Sequence, residues 1–343
     1  MTNHEINGAE NYTAEVVAHS ISEFEQRIVS IEVNMPRMIL AELNTHRVFS
    51  RNSASSRAIP THKLLREILE NPYIPVEWGK YQSGMSAGEH LSPANQEKSE
   101  EIWLRMRDQA ALGVVALMGG LESEQLNVDG SGDLIDSLSN LQDQYSYDDH
   151  LDGEALHKQW VNRPLEPFMW HRVLVTATEW ANFYALRLSE DAQPETRVAA
   201  EMMRSALDDS TPRQVAEGDY HLPYIQPDEV DEPLEKRIKL SCARSARLSY
   251  MTHAKKRDHN KDLSMYDELL KNGHMSPFEH AATPFTSNDI KFISLVQKLE
   301  EGDVPQFIDD GLPFHGNFRG WHPHRKALPH ENNFAKVLEE LAA

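Results

Sequence analysis

Two segments with strand-like sequences lie far apart in the chain. Residues 27–33 read RIVSIEV, with alternating β-branched side chains, and residues 168–176 read FMWHRVLVT. Both patterns predict strands, and residues 237–250 are also strand-like. Strand-like and helical segments do not alternate regularly along the chain, as they do in a doubly wound sheet. We therefore expect an α+β fold with mixed helices and a mainly antiparallel sheet.

Prolines mark two of the predicted helix starts. Pro36 and Pro60 can each begin a helix, because proline lacks the N–H that the first turn leaves unbonded. Between these two helices, residues 50–59 are rich in Ser and Asn and predict a loop. Further helices are predicted over residues 97–121, 178–188 and 193–208, near 262–272 and near 332–342.

The chain divides into three parts by composition. Residues 1–208 contain the first two strands and an acidic, polar insert at 121–153, which we interpret as a surface excursion. Residues 209–233 are rich in Pro and Asp and are predicted to be a linker. Residues 234–343 form a C-terminal region.

The overall charge disfavours binding to nucleic acid duplexes. The chain has 34 basic and 54 acidic residues, a net charge of −20, so a duplex should be repelled. Four arginines nevertheless fall together in an acid-poor segment: Arg37, Arg47, Arg51 and Arg57. A local basic pocket suits a small anionic ligand such as a nucleotide phosphate. A surface stripe without a ligand would look the same at this level.

Cysteine and histidine usage limits the possible chemistry. Cys242 is the only cysteine, so a disulfide within the chain is excluded, and we expect it to be a structural residue on a strand. Seventeen histidines raise the possibility of a zinc enzyme, but no HExxH pairing occurs and we expect no metal. No apolar stretch reaches 18 residues, and the N-terminus does not resemble a secretory signal. We expect a cytoplasmic protein that does not bind membranes.

The segment from His46 to Arg57 concentrates groups that bind phosphate. It contains one histidine, three arginines and several hydroxyls within a dozen residues. Arginine binds phosphate in a bidentate manner, and Ser hydroxyls and loop N–H groups can complete such a site. A capped, solvated turn has the same composition, so composition leaves both interpretations open.

The spacing in this segment resembles the signature of flavin-dependent thymidylate synthases. That signature is Arg-His-Arg, two residues, Ser, four residues, Ser, one residue, Arg, and positions 46, 47, 50, 55 and 57 match it. Two positions depart from the family pattern. Thr45 stands where the family has its first Arg, and Ser53 stands where an acidic residue usually follows the Asn. The expected nucleotide and flavin contacts therefore lack one cation and one carboxylate.

Two later segments resemble the same family. Residues 182–187 (NFYALR) and 191–197 (DAQPETR) are similar to its Asn-Phe-x-x-Leu-Arg and Ala-Gln-x-Glu-x-Arg segments. Residues 273–280 (GHMSPFEH), preceded by residues 243–250, are similar to its Gly-His-x-Ser-Pro-Phe-Glu-His module. Thr178 stands where an Arg is common in the family. The usual order places the Gly-His-Ser-Pro module first, so this chain looks permuted.

The resemblance implies roles for individual residues. Arg187 would lie against the pyrimidine and favour its N3-deprotonated form, because a fixed cation stabilises developing enolate charge. Considered alone, Arg187 could instead pair with Glu190 or Asp191 on a helix surface. The implied flavin-binding residues are Thr45, His46, Arg47, Ser50, Asn52, Thr176, Asn182 and His280. The implied nucleotide-binding residues are Glu42, Ser53, Ser55, Ser56, Arg57 and Arg187.

The activity implied by the resemblance is dTMP synthesis without an enzyme thiol. FAD would pass a one-carbon group from methylenetetrahydrofolate to C5 of dUMP, and NADPH would reduce the flavin. The family is tetrameric with sites shared between subunits, so we expect a homo-oligomer. Rival hypotheses are a dCMP methylase or dUMP hydroxymethylase on the same scaffold, an inactive nucleotide- or flavin-binding protein, and a zinc enzyme.

One C-terminal segment is both basic and aromatic. It spans Asn317 to Trp321 and is followed by Arg325 and Lys326. These residues could stack on folate or flavin and bind its carboxylates. A packed C-terminal loop explains them equally well.

Overall fold

The structure is a computed structural model that describes residues 9–128, 132–147, 151, 154–248, 257–291 and 313–328. The strands are β1 (Thr13–Ser22), β2 (Arg27–Pro36), β3 (Ser50–Ser53), β4 (Trp170–Ala177), β5 (Arg213–Val215), β6 (Ala282–Pro284), β7 (Phe314–His315), β8 (Phe318–Arg319) and β9 (Trp321–Pro323). The helices are α1 (Leu40–Asn44), α2 (Thr61–Glu70), α3 (Pro93–Leu117), α4 (Gly132–Tyr145), α5 (Lys158–Val161), α6 (Ala181–Arg187), α7 (Pro194–Asp208), α8 (Leu234–Ala246) and α9 (His259–Lys271). The helix predicted near residues 332–342 lies outside the described residues.

The central sheet has five strands in the order β3-β4-β2-β1-β5. The β1–β2, β2–β4 and β3–β4 pairs are antiparallel, and β5 joins β1 in parallel. The predicted strands at 27–33 and 168–176 are β2 and β4, and they are direct neighbours. The expectation of mixed helices with a mainly antiparallel sheet is therefore confirmed.

Alternation along β2 directs its side chains to two different layers. Val29, Ile31 and Val33 face a core that includes residues of α6 and α7. Ile28 and Ser30 face the opposite side, where Ile28 packs with residues of β5, β6, β8 and β9. Since successive strand residues point to opposite faces, this one strand positions both a helical layer and the C-terminal segments.

A second core lies among α2, α3 and α4 and the 3₁₀ turn at Arg163–Phe168. Helix α4 falls inside the acidic insert, and it buries Leu134 and Leu138. These leucines are four residues apart, so they share one face of the helix. This part of the insert therefore packs against α2 and α3, contrary to the prediction of a surface excursion.

Two local predictions need correction. The strand predicted at residues 237–250 is wrong, because Leu234–Ala246 forms α8. Every residue from Leu240 to Ser245 is buried, so burial does not alternate here as it does along a half-exposed strand. The loop predicted at 50–59 begins instead with β3, which local composition cannot reveal because its hydrogen-bond partner is the distant strand β4.

The segment predicted as a linker, 209–233, makes contacts with the sheet. It contains β5, and His221 forms an isolated bridge with Ala282. His221 is fully buried. The helices predicted at 97–121, 178–188, 193–208 and 262–272 correspond to α3, α6, α7 and α9 and are confirmed with shifted ends. No helix among the described residues has the length and apolar character needed to cross a bilayer.

Candidate functional site

Arg187 stands at the end of α6 and reaches back to the first motif. Its Nε donates to Nε2 of His46 at 2.9 Å. Its Nη2 donates to Oγ1 of Thr45 at 3.0 Å and lies 3.4 Å from the carbonyl oxygen of Glu42. Arg187 thus joins the second motif to the first through specific hydrogen bonds, and these differ from the helix-surface ion pair that was the alternative.

His46 is held as a neutral acceptor. Its ring is buried and packs edge-on against Phe183, with centroids 5.0 Å apart. Burial lowers the pKa of His46, and the nearby Arg187 and Arg51 lower it further. Because Nε2 accepts the bond from Arg187, the ring proton must be on Nδ1.

Thr45, which stands where the resembled signature has Arg, bonds to both Glu42 and Arg187. The Thr45 hydroxyl donates to the carbonyl of Glu42 at 2.7 Å and accepts from Arg187. A second guanidinium at this position would stand next to Arg187 and repel it. With Thr45, the guanidinium of Arg187 gains a hydrogen-bond acceptor instead.

The third motif docks on β3. Oγ of Ser276 donates to the carbonyl of Arg51 at 3.2 Å and to Oδ1 of Asn52. The amide of Asn52 donates in turn to the carbonyl of Ser245, at the end of α8, at 2.8 Å. One edge strand therefore contacts both segments that the sequence places more than 190 residues later.

Thr176 and His280 meet in the interior. Oγ1 of Thr176 lies 2.8 Å from Nδ1 of His280 and 2.5 Å from Oγ of Ser30. All three residues are fully buried, and burial lowers the pKa of His280 to about 3, so its ring is neutral. Nε2 of His280 is also buried, and it has no hydrogen-bond partner among the described residues.

The basic, aromatic C-terminal segment lies beside these motifs. Asn317 donates to Oγ of Ser50 at 3.1 Å. The backbone N–H of Arg319 donates to Oγ1 of Thr178 at 3.0 Å, and its Nε donates to Glu179 at 2.8 Å. The backbone of Arg319 thus contacts Thr178, and its guanidinium pairs with the neighbouring Glu179. Trp321 is fully buried in a core cluster, which favours a packed loop over ligand stacking for that residue.

Several of the predicted site residues do not take part in the contacts among the three motifs. Ser56 is buried and donates to Glu166 at 2.7 Å, while its carbonyl accepts from the amide of Asn162. The remaining predicted residues are all exposed on this single chain: Arg47, Ser53, Ser55, Arg57 and Asn182.

Cys242 does not have the environment of a nucleophile. It is fully buried in α8, and burial raises the pKa of its thiol. The neighbouring Arg244 does not activate it, since its guanidinium bonds to Glu229 and Asp262. A structural role is supported, on a helix rather than on the predicted strand.

Sequence analysis missed three residues that extend the Thr176–His280 contact. Ser30, His221 and Ser20 continue the hydrogen-bond chain across the sheet. Ser30 did carry a signal, since it is a hydroxyl at an interior position of an apolar strand. His221 carried none, because it lies in a segment whose composition predicts a linker.

Among the described residues, no group of three or more His, Cys, Asp or Glu side chains is arranged to hold a metal ion. Models of known protein families and curated proteins were both compared with this chain, and neither comparison gives a match.

Proposed function

We propose that this chain is a permuted member of the flavin-dependent thymidylate synthases. It would use FAD to transfer a one-carbon group from methylenetetrahydrofolate to C5 of dUMP, giving dTMP, with NADPH as reductant. Its fold would be the thymidylate synthase-like variant of an α+β architecture.

The observation that carries this proposal is the convergence of three motifs in one chain. Arg187 bonds to His46, which joins the second motif to the first. Ser276 bonds to Asn52, which joins the third motif to the first. Motif order along a chain is irrelevant to chemistry when the side chains meet in space.

The donors present are suitable for a flavin and a nucleotide. Nε2 of the buried His280 has no hydrogen-bond partner among the described residues, and it could bond to a ligand atom, because buried polar groups are normally paired. Arg47, Arg57 and Asn182 offer exposed donors beside the buried part of the site. FAD, when bound, would supply the redox and one-carbon chemistry, and the protein supplies orientation and charge.

Arg187 would carry the main electrostatic role in this chemistry. Its guanidinium is fixed by His46 and Thr45 before any substrate arrives. A preorganised cation stabilises negative charge developing on the pyrimidine without further reorganisation. His46 contributes by remaining neutral, so that it accepts from Arg187 and does not repel it.

Three departures from the family pattern bear on which substrate is used. Thr45, Ser53 and Thr178 each replace a charged residue of the family pattern, and these changes favour considering dCMP methylation or dUMP hydroxymethylation as second candidates. A homotetramer with shared sites in the cytoplasm is part of the same proposal, because the exposed Arg47, Arg57 and Asn182 could be covered by another subunit.

The first test is an absorbance spectrum of the purified protein, alone and with added FAD. We expect flavin bands that shift when dUMP is added, followed by a dTMP product detected by mass. Methylated dCMP beside unchanged dUMP would replace the main proposal with the second candidate. Failure to bind FAD in excess would remove both and favour the inactive-protein hypothesis.

A further inference from the structure

Two histidines and one carboxylate form a row of hydrogen bonds in the C-terminal region. Nε2 of His322 lies 3.2 Å from Oδ2 of Asp289, and Nδ1 of His322 lies 2.8 Å from Nδ1 of His315. Phe285 packs on the ring of His322, with centroids 4.3 Å apart. The backbone N–H and the hydroxyl of Thr286 both donate to the same Asp289 oxygen, each at 2.7 Å. The carboxylate and the middle ring are thus held in position.

The carboxylate gives this row a direction. Burial alone would raise the pKa of Asp289, but the hydrogen bonds from Thr286 and His322 outweigh it, so Asp289 is ionised at neutral pH. An ionised carboxylate can only accept, so Nε2 of His322 must carry a hydrogen. Nδ1 of the neutral His322 ring is then an acceptor, and the hydrogen between the two rings belongs to Nδ1 of His315. Nε2 of His315 is therefore left with a free lone pair.

This lone pair can take up a proton from outside. His315 is half-buried, and its Nε2 is accessible and has no hydrogen-bond partner among the described residues. Burial lowers the pKa of His315, and His322 and Lys326 lower it further, while Asp289 partly opposes them. The ring is therefore unprotonated at neutral pH.

The row lies beside the proposed site. His315 ends β7, and the hairpin to β8 turns through Gly316 and Asn317. Asn317 donates to Oγ of Ser50 in the first motif at 3.1 Å. A Cβ atom on Gly316 would lie 3.2 Å from Oε1 of Glu279 in the third motif. The turn next to His315 therefore packs against two of the three motifs.

The proposed reaction needs a proton acceptor, because a pyrimidine that gains a one-carbon group at C5 must lose its C5 proton. A base has to be oriented as well as unprotonated. Nε2 of His46 is occupied by Arg187, and His280 is fully buried. His274 of the third motif is exposed, but its ring makes no hydrogen bond to a described residue that would orient it. His315 combines an accessible lone pair with a fixed orientation.

We propose that Asp289, His322 and His315 form a proton relay in which Nε2 of His315 is the base that takes the C5 proton of the pyrimidine nucleotide. The C5–H bond breaks, its electron pair restores the C5=C6 double bond, and the proton moves to Nε2. The Nδ1 proton of His315 passes to Nδ1 of His322, where the positive charge lies beside Asp289. Asp289 and His322 are positioning residues. The base role rests on the proposed function and applies to dUMP and dCMP alike, whereas the relay stands without it.

Reaction of the histidines with diethyl pyrocarbonate tests the relay without ligand or turnover. The reagent attacks ring nitrogens that have a free lone pair, and peptide mass spectrometry locates the products. We expect His315 to react about as fast as the exposed His90. His322 should react about tenfold more slowly, because its bond to a carboxylate must first break.

Two variants show whether the carboxylate causes this protection. Asp289→Ala should raise the rate of His322 to that of His315. Thr286→Val is the matched control, because it removes a hydrogen bond to the same Asp289 oxygen and keeps the carboxylate, so His322 should stay protected. Equal rates at His315 and His322 in the wild type, or continued protection of His322 in Asp289→Ala, would overturn the relay.

Turnover of a nucleotide that carries deuterium at C5 tests the base. In His315→Gln, kcat should fall about 100-fold with little change in KM. The deuterium isotope effect should exceed that of the wild type, because C5–H cleavage becomes the slowest step. His90→Gln is the control and should behave as the wild type does.

The outcomes separate the base from the proposed function. An active wild type with normal kcat and an unchanged isotope effect in His315→Gln would overturn the base role alone. A wild type that shows the expected reactivity at His315 and His322 but forms no product would overturn the proposed function, and the base role with it, and would leave the relay.

Discussion

Arg187 and His46 form a pair whose geometry is settled without a ligand. Arg187 uses Nε and Nη2 for bonds to His46, Thr45 and the backbone of Glu42. Nη1 of Arg187 makes no hydrogen bond within the described part of the chain, so its N–H groups are available to a substrate. The planar, rigid guanidinium is suited to this double use, because fixing one edge orients the other.

Replacing Arg187 with Ala should abolish turnover while FAD binding is retained. The change removes the cation that, in the proposed reaction, would stabilise charge on the pyrimidine, and it leaves Nε2 of His46 without its donor. Loss of one such group typically raises the activation barrier by about 2.7–4 kcal/mol, a rate loss of roughly 10²–10³. Product formation by mass and flavin absorbance measure the two effects.

Arg204→Ala is the matched control for this substitution. Arg204 lies on α7 and pairs with Asp208 on the surface, and its removal should leave the turnover rate unchanged. Near-normal activity in Arg187→Ala would show that its contacts to His46 are only structural.

At the scale of elements, α8 and α9 are joined by a buried ionic cluster. Arg244 on α8 donates to both carboxylate oxygens of Glu229, at 2.6 and 2.7 Å, and to Asp262 on α9 at 3.0 Å. Burial alone would raise the pKa of Glu229, but the hydrogen bonds from Arg244, the backbone N–H of Gln226 and His259 together outweigh it and hold that pKa at about 2. The cluster also positions the site, because the carbonyl of Ser245 at the end of α8 accepts from Asn52.

We expect Arg244→Ala to lower the free energy of unfolding by about 3–5 kcal/mol. It would remove the cation that two carboxylates share, each at most 2% exposed, and leave Asp262 with Arg247 and Glu229 with His259. The surface pair of Lys236 with Glu232 provides the comparison, and Lys236→Ala should change the free energy by less than about 0.5 kcal/mol. Urea unfolding of both variants measures the difference, and equal effects would mean that the cluster contributes no more than a surface pair.

At the scale of the whole molecule, buried neutral histidines make the fold sensitive to acid. Burial lowers the pKa of His171, His221 and His280 to about 3 in the folded protein. In the unfolded chain each titrates near its ordinary value of about 6.5. Below that pH the unfolded state binds more protons than the folded state, so stability falls as the pH falls.

Between pH 7 and pH 5 the free energy of unfolding should therefore decrease steeply. Each of these histidines contributes a loss of about 2 kcal/mol at pH 5. Carboxylates that titrate below this range change little over the same interval. Urea unfolding curves at pH 7, 6 and 5 test the expectation, and a free energy that does not depend on pH would refute it.

His171→Phe isolates one of the three contributions. Both ring nitrogens of His171 are buried without a hydrogen-bond partner among the described residues, so an apolar ring of similar shape loses no bond. The variant should lose about 2 kcal/mol less than the wild type on going to pH 5. An unaltered pH dependence would indicate that His171 is protonated in the folded protein.

Much of the local structure followed from local patterns. The β-branched segment at 27–33 and the helices at 178–188 and 193–208 were predictable, because period and composition act over a few residues. The strand predicted at 237–250 failed because a mixture of Leu, Ile and small residues fits either structure in isolation. Packing of α8 against α9 favours the helix at this position.

The sequence by itself determined which chemical groups the site contains. Three short motifs, a single cysteine and a strongly acidic composition are properties of the chain before it folds. Only the tertiary structure decided which groups meet. It paired Arg187 with His46, and it put Ser20, Ser30 and Thr176 on one face of the sheet. There His221 bonds to both Ser20 and Ser30, and Thr176 bonds to His280. Such contacts join residues more than 100 positions apart, and strand register and burial set them rather than any local pattern.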